Sequence, residues 1–148
     1  MRIAFVLVAL LLAGCLAPSH VHTQADDARQ LVAFPDAMRL HTLANMRDHL
    51  RTIHEIEAAL AAERYTDAAQ LAEQRLGMTS LAMHDASHLA AYMPAPMQEM
   101  GTGMHRAASR FAIAAQDASA THDVRPALAA LAEVTRHCVA CHAAYRLQ

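Results

Sequence analysis

From residue 36 onward, apolar residues recur every three to five positions and never settle into the strict alternation that a half-buried strand requires. Alanine and leucine dominate, glycine is scarce, and β-branched residues do not cluster. The fold class expected from this pattern is all-α. A first helix starts after Pro35, with Asp36 in the first turn where a negative charge suits the helix dipole, and runs to about Arg64. Its stripe is Met38, Leu43, Met46, Leu50, Ile53, Ile56 and Leu60. Thr66 is placed to cap a second helix carrying Ala69, Leu71, Ala72 and Leu76, and Gly77 ends it. A short helix over Ser80 to Leu89 precedes a break at Pro94 and Pro96.

The third long helix is expected from about Met97 to Ala118, burying Met104, Ala108, Phe111 and Ala115. Gly101 and Gly103 either weaken its first turns or admit a close neighbour. After a turn at Thr121 to Asp123, a last helix begins near Arg125 with Pro126 in its first turn and continues to Tyr145. Its inner stripe is Leu128, Leu131, Val134, Cys138, Cys141, His142 and Tyr145. Short connections between these helices predict an antiparallel four-helix bundle formed by residues 35–148.

The last helix carries Cys138, Val139, Ala140, Cys141 and His142, the spacing of a c-type haem attachment site. On a helix, positions 138, 141 and 142 stand at i, i+3 and i+4, so two thiols and an imidazole leave one face. The thiols can form thioethers with the haem vinyl groups, while the imidazole can reach the iron as proximal ligand. A zinc site would need two more thiol or imidazole donors, and a thioredoxin-like pair would need a strand before it. The only other cysteine, Cys15, stands at the end of the opening apolar segment, and neither a strand before the pair nor a parallel sheet around it is found in the sequence.

The chain opens differently. Arg2 is followed by an apolar run of eleven residues, Ile3 to Ala13, too short to span a bilayer of about 30 Å as a helix. Residues 1–14 therefore read as an export signal. Leu12, Ala13, Gly14 and Cys15 resemble the cleavage box of bacterial lipoproteins. That resemblance implies lipidation of Cys15, a periplasmic location and, with Leu16 next, sorting to the outer membrane. Residues 15–34 have no sustained apolar period and are expected to form a tether, with a first turn near Asp26 to Leu31. The charge balance is 12 arginines, no lysine and 14 acids; no basic stripe favours nucleic acid.

A four-helix core whose last helix ends in Cys-x-x-Cys-His-x-x-Tyr-Arg, here Cys138 to Arg146, resembles the cytochrome c-prime family. The resemblance implies one haem c between the helices, held by the last and covered by the first. It matches Arg146 to an arginine beside the proximal imidazole. One branch of that family covers the iron with a leucine or phenylalanine of the first helix, and the other ligates it with a methionine. Met46 matches that methionine, and a thioether ligand favours ferrous iron. Leu43 covers the iron if the register slips by three; Met38 and His49 are the neighbouring candidates.

The function implied is one-electron transfer with redox protein partners, and no enzyme, since no nucleophile stands beside a base and no carboxylates pair at catalytic spacing. The five-coordinate alternative binds nitric oxide or another small gas. Dimerisation through the first two helices is common in the family. A second alternative comes from segment 78–105, where Met78, Met83, His84, His88, Met93, Met97, Met100, Met104 and His105 supply soft donors suited to copper. There His84 and His88 are expected to share a helix face, as are Met97, Met100 and Met104. Packing of these methionines around the haem edge is the preferred reading of that segment.

Overall fold

The computed structural model describes residues 27–148, so the expected export signal and the expected lipidation site, Cys15, lie outside the described residues. Most of the described chain is helical. In order, β1 (Gln30–Val32), α1 (Asp36–Ala61), α2 (Tyr65–Arg75), a 3-10 turn at Met78–Ser80, α3 (Ala86–Ala90), α4 (Ala95–Thr121), α5 (Arg125–Ala144) and β2 (Tyr145–Leu147) follow one another. Among the described residues, no helix is long and apolar enough to cross a membrane.

Local chemistry sets most of the boundaries. Pro35 fixes the extended residue before α1, and Asp36 occupies the first turn. Glu63 takes a left-handed conformation (φ 57°) in the tight link to α2, which begins at Tyr65 without the side-chain cap expected of Thr66. Gly77 is required after α2, because a Cβ there would stand 2.8 Å from the Glu73 carbonyl oxygen. Pro94 and Pro96 frame the first turn of α4, so the helix begins two residues earlier than the apolar stripe alone indicates. Asp123 accepts the Arg125 N–H at 3.1 Å and so opens α5.

The core is built around Phe111, Ile56, Val134 and Leu76, with alanines filling the helix contacts. Ala108, Ala115, Ala68, Ala72 and Ala127 have no exposed surface, and side chains this small let α4 pack closely on α5 and on α2. Arg75 ties α2 to α1 through Glu55 at 2.7 Å and through Asp48. The α1 backbone packs chiefly on α2 and approaches α4 and α5 far less closely. Leu50 and Leu128, expected on inner stripes, are 70% and 49% exposed.

Two expectations are corrected at the chain ends. Residues 30–32 form a strand rather than a helical turn in a tether, pairing in parallel with β2: Gln30 with Tyr145, Leu31 with Arg146 and Val32 with Leu147. Val32 and Phe34 are buried in a second cluster with Leu89 and Met97, so the packed domain begins before Pro35. The last helix stops at Ala144, one residue short of expectation, because Tyr145 turns to extended backbone (φ −128°, ψ 150°) and joins the pair. The strand pair makes the fold not purely helical, and it fastens the start of α1 to the end of α5. Replacing Phe34 by alanine should cost about 3 kcal/mol of unfolding free energy, through lost burial and the cavity left behind. Urea denaturation monitored by circular dichroism measures it; a change below about 0.5 kcal/mol would mean that the segment before α1 contributes nothing to the domain.

Candidate functional site

Where α1 stands away from α4 and α5, a cleft of about 390 Å³ opens, and its lining is mostly apolar. Thr42, Leu43 and Met46 line it from α1, Met97 and Gly101 from α4, and Cys141 and His142 from the end of α5. Tyr145, Arg146 and Leu147 of β2 close one end, with Arg29 and Met93 beside them. A Cβ at Gly101 would meet nothing within 4 Å, so this glycine widens the space. At Gly103 the situation is opposite: a Cβ would lie 2.5 Å from the His137 ring, which packs over the glycine where α4 meets α5.

The motif residues are unequally placed around this cleft. Cys141 and His142 line it, and His142 is exposed. Cys138 shares their helix, but its thiol packs at the border of the main core and donates to its own helix at Val134 O, 3.6 Å away. Both thiols are free, and burial pushes both above the usual thiol range. A redox Cys-x-x-Cys needs the reverse, a thiol whose pKa is depressed by a helix N-terminus or a cation. A motif near a helix C-terminus, half buried among apolar side chains, instead keeps neutral thiols.

Of the candidates opposite His142, Met46 and Leu43 line the cleft. Met46 remains 37% exposed, so its thioether is not committed to core packing. Met38 packs with the Val32 and Phe34 cluster instead. His49 also turns away, as described below. Arg146 is not a helical residue one turn beyond His142: it sits in β2, 3.6 Å from Asp27. Among the described residues its Nε is buried and has no hydrogen-bond partner, Asp27 standing only at ion-pair distance. Arg29 joins the same cluster, binding Asp27 at 2.6 Å and reaching the His142 carbonyl at 3.4 Å. The Arg29 guanidinium holds the Asp27 carboxyl down to about 2. The sequence offered no signal for Arg29, because its place depends on the strand pair.

The donor-rich segment 78–105 is divided by the fold. His84 and His88 do not share a face: Asp85 between them is left-handed (φ 52°), so His84 turns into the protein while His88 stays exposed beside Asp85. Met78 and Met83 are exposed, whereas Met97 and Met104 are buried in different clusters. His84 and His105 meet His49 of α1 in a second, smaller cavity of about 160 Å³ that shares Met46 and Gly101 with the first. The His49 and His84 Nε2 atoms are 3.3 Å apart, and all three imidazoles are more than nine-tenths buried. Among the described residues, no three or more histidine, cysteine or acidic side chains stand where they could hold a metal ion without moving.

Comparison of the chain with protein-family models, with curated proteins and with solved structures returns no match.

Burial makes these histidines poor bases. It is the largest cause lowering His49 to about 4, helped by His84 and His105 and opposed by Asp48. His84 is lowered by burial and by His105, and also by His41, against Asp48; His105 is lowered by burial against its backbone hydrogen bonds. In the unfolded chain a histidine titrates near 6.5. Above that pH both states are neutral and the group contributes nothing to the pH dependence. As pH falls from about 6.5 to about 4, the unfolded chain takes up a proton that folded His49 refuses, and stability declines by roughly 3 kcal/mol from this residue alone. His84 and His105 act in the same direction. Urea midpoints of metal-free protein should therefore fall steadily from about pH 6.5 to about pH 4.5. A constant midpoint across that span would show that the imidazoles protonate freely within the fold.

Proposed function

We propose that this protein is a lipid-anchored periplasmic cytochrome of the cytochrome c-prime type, carrying single electrons between redox protein partners on one covalently bound haem c. The reading rests on one observation: a mostly apolar cleft between α1 and the end of α5 is lined by Cys141 and His142 on one side and by Met46 on the other. An apolar stripe facing a gap is costly in a small domain unless something apolar fills it. A flat porphyrin with an iron at its centre has the character that this cleft requires.

In this assignment Cys138 and Cys141 would hold the group through thioethers, and His142 and Met46 would supply its iron ligands. The Cys138 thiol leaves its present contact with the Val134 carbonyl to do so. A haem also brings two carboxylates into an apolar space, and Arg146 and Arg29 are the cations at the end of the cleft, Arg146 with a donor to spare. Bound haem c supplies a reversible one-electron couple. The chain's contribution is burial, fixed ligands and a soft thioether that favours the reduced state. Cys15 supplies the membrane attachment, at the outer membrane. A five-coordinate, gas-binding site is the competing reading, and Leu43 favours it by lining the cleft beside Met46.

Absorption spectra of protein made in a host that attaches haem c decide between the two. Wild-type protein should be low-spin in both oxidation states and indifferent to carbon monoxide. Met46→Ala should become high-spin and bind the gas, while retaining its pigment in acidified organic solvent. A high-spin wild type would transfer the role to Leu43, and colourless or solvent-extractable protein would remove the haem assignment.

A further inference from the structure

We propose that His49, His84 and His105 form a buried binding site for a single monovalent copper ion, distinct from the haem cleft and independent of the haem assignment. Three separate segments contribute the donors: α1, the loop before α3, and α4. Two nitrogens held at about 2.0–2.1 Å from one ion in tetrahedral geometry stand about 3.3 Å apart. His49 Nε2 and His84 Nε2 are separated by 3.3 Å. Imidazole centroids around one such ion stand about 5 to 5.5 Å from each other. The three pairs here measure 4.6, 5.5 and 6.0 Å, so modest rotation of the His49 and His105 rings closes the set.

Hydrogen bonding fixes which nitrogens are free. The Ser80 hydroxyl donates to the Gly77 carbonyl at 2.7 Å, so toward His84 Nδ1, 3.4 Å away, its oxygen can only accept. His84 therefore carries its proton on Nδ1 and has a bare Nε2. His105 Nδ1 donates to the Leu76 carbonyl at 2.7 Å, which leaves its Nε2 bare as well. His49 is then the donor to His84. Two of three imidazoles are already in the ligating tautomer, each oriented through its other nitrogen as metal-bound histidines commonly are. His84 is further anchored to α1, because its carbonyl accepts from the Asn45 side-chain amide and contacts His41 Nε2, both at 3.2 Å. Besides that rotation, binding requires transfer of the His49 proton from Nε2 to Nδ1. All three rings stay neutral, and the ion enters and remains as Cu(I).

The lining selects the charge of the ion. No aspartate or glutamate lines this cavity, and Met46, Met93 and Met104 do. Burying a doubly charged ion among neutral ligands costs far more than burying a singly charged one. Imidazole with a nearby thioether is a ligand set for Cu(I), and buried Met104, next to His105, is the thioether not assigned elsewhere.

The test is an anaerobic titration of the full chain, carrying whatever haem it holds, with Cu(I) against a coloured competing chelator. Wild-type protein should take up a single Cu(I) with its haem spectrum unchanged. His84→Ala and His105→Leu should each weaken uptake by more than about 100-fold, and Ser80→Ala by about 10-fold to 100-fold. Replacing the exposed donors Met78, Met83 and His88 should leave it unaltered. Because a core variant can lose its fold, X-ray absorption on wild-type Cu(I) protein provides a second reading, expected to show a shell dominated by imidazole nitrogen. A shell dominated by sulfur, loss of uptake with the exposed donors, Zn(II) displacing Cu(I) at equal concentration, or no uptake at all would each overturn the proposal.

Discussion

Alanine-rich faces let α4 come close to α5 and to α2, and much of this molecule follows from which helix is left out of that contact. A small side chain permits close approach of backbones, whereas Leu43, Met46, Met93 and Met97 hold their surroundings apart. The first helix is consequently anchored at its C-terminal half, through Ile56, Ala59 and Leu60, and through Arg75 to Glu55 and Asp48. Its N-terminal half leans over open space. The strand pair stops that half from drifting further, since Gln30–Val32 binds the residues directly after α5.

Both cavities descend from this one separation. The larger lies where α1 faces the end of α5, and the smaller where α1 faces the loop before α3 and the start of α4. Met46 and Gly101 border both, so their occupants would be near neighbours. Their chemistry differs sharply. The larger cavity pairs an apolar lining with cations at one end; the smaller holds neutral imidazoles that burial keeps from charging. Folding thus places two kinds of donor, thiol with imidazole and imidazole with thioether, in adjoining compartments.

The helical elements were legible because each is announced locally. Pro35 with Asp36, Gly77, Pro94 with Pro96, and Asp123 with Pro126 each act on the backbone within a few residues, and the observed boundaries lie within three residues of those expected for the four long helices. Thr66 misled because Arg64, after the left-handed Glu63, already takes the N-cap position and leaves Thr66 inside the first turn. His84 and His88 misled for a related reason: i and i+4 share a face only if the intervening backbone is helical, and Asp85 is not. Cys141 and His142 could be singled out because a five-residue motif is a local pattern, and Met46 through the family resemblance; the structure puts all three on the lining of one cleft. Arg146 was legible as a cation near the motif but not in its setting, which depends on pairing with Leu31, 115 residues away in sequence.

By itself the sequence determined the helical content, the approximate ends of the helices and the helical setting of Cys138, Cys141 and His142, because those depend on the dihedral preferences and spacing of near neighbours. Only the tertiary structure decided that α1 stands off from α5, that residues 30–34 belong to the packed domain, and that His49, His84 and His105 converge. Those outcomes depend on how side chains of different size compete for the same interior, and on hydrogen bonds between segments that are distant along the chain. No period or motif encodes such a competition, so it becomes visible only when the packed helices are seen together.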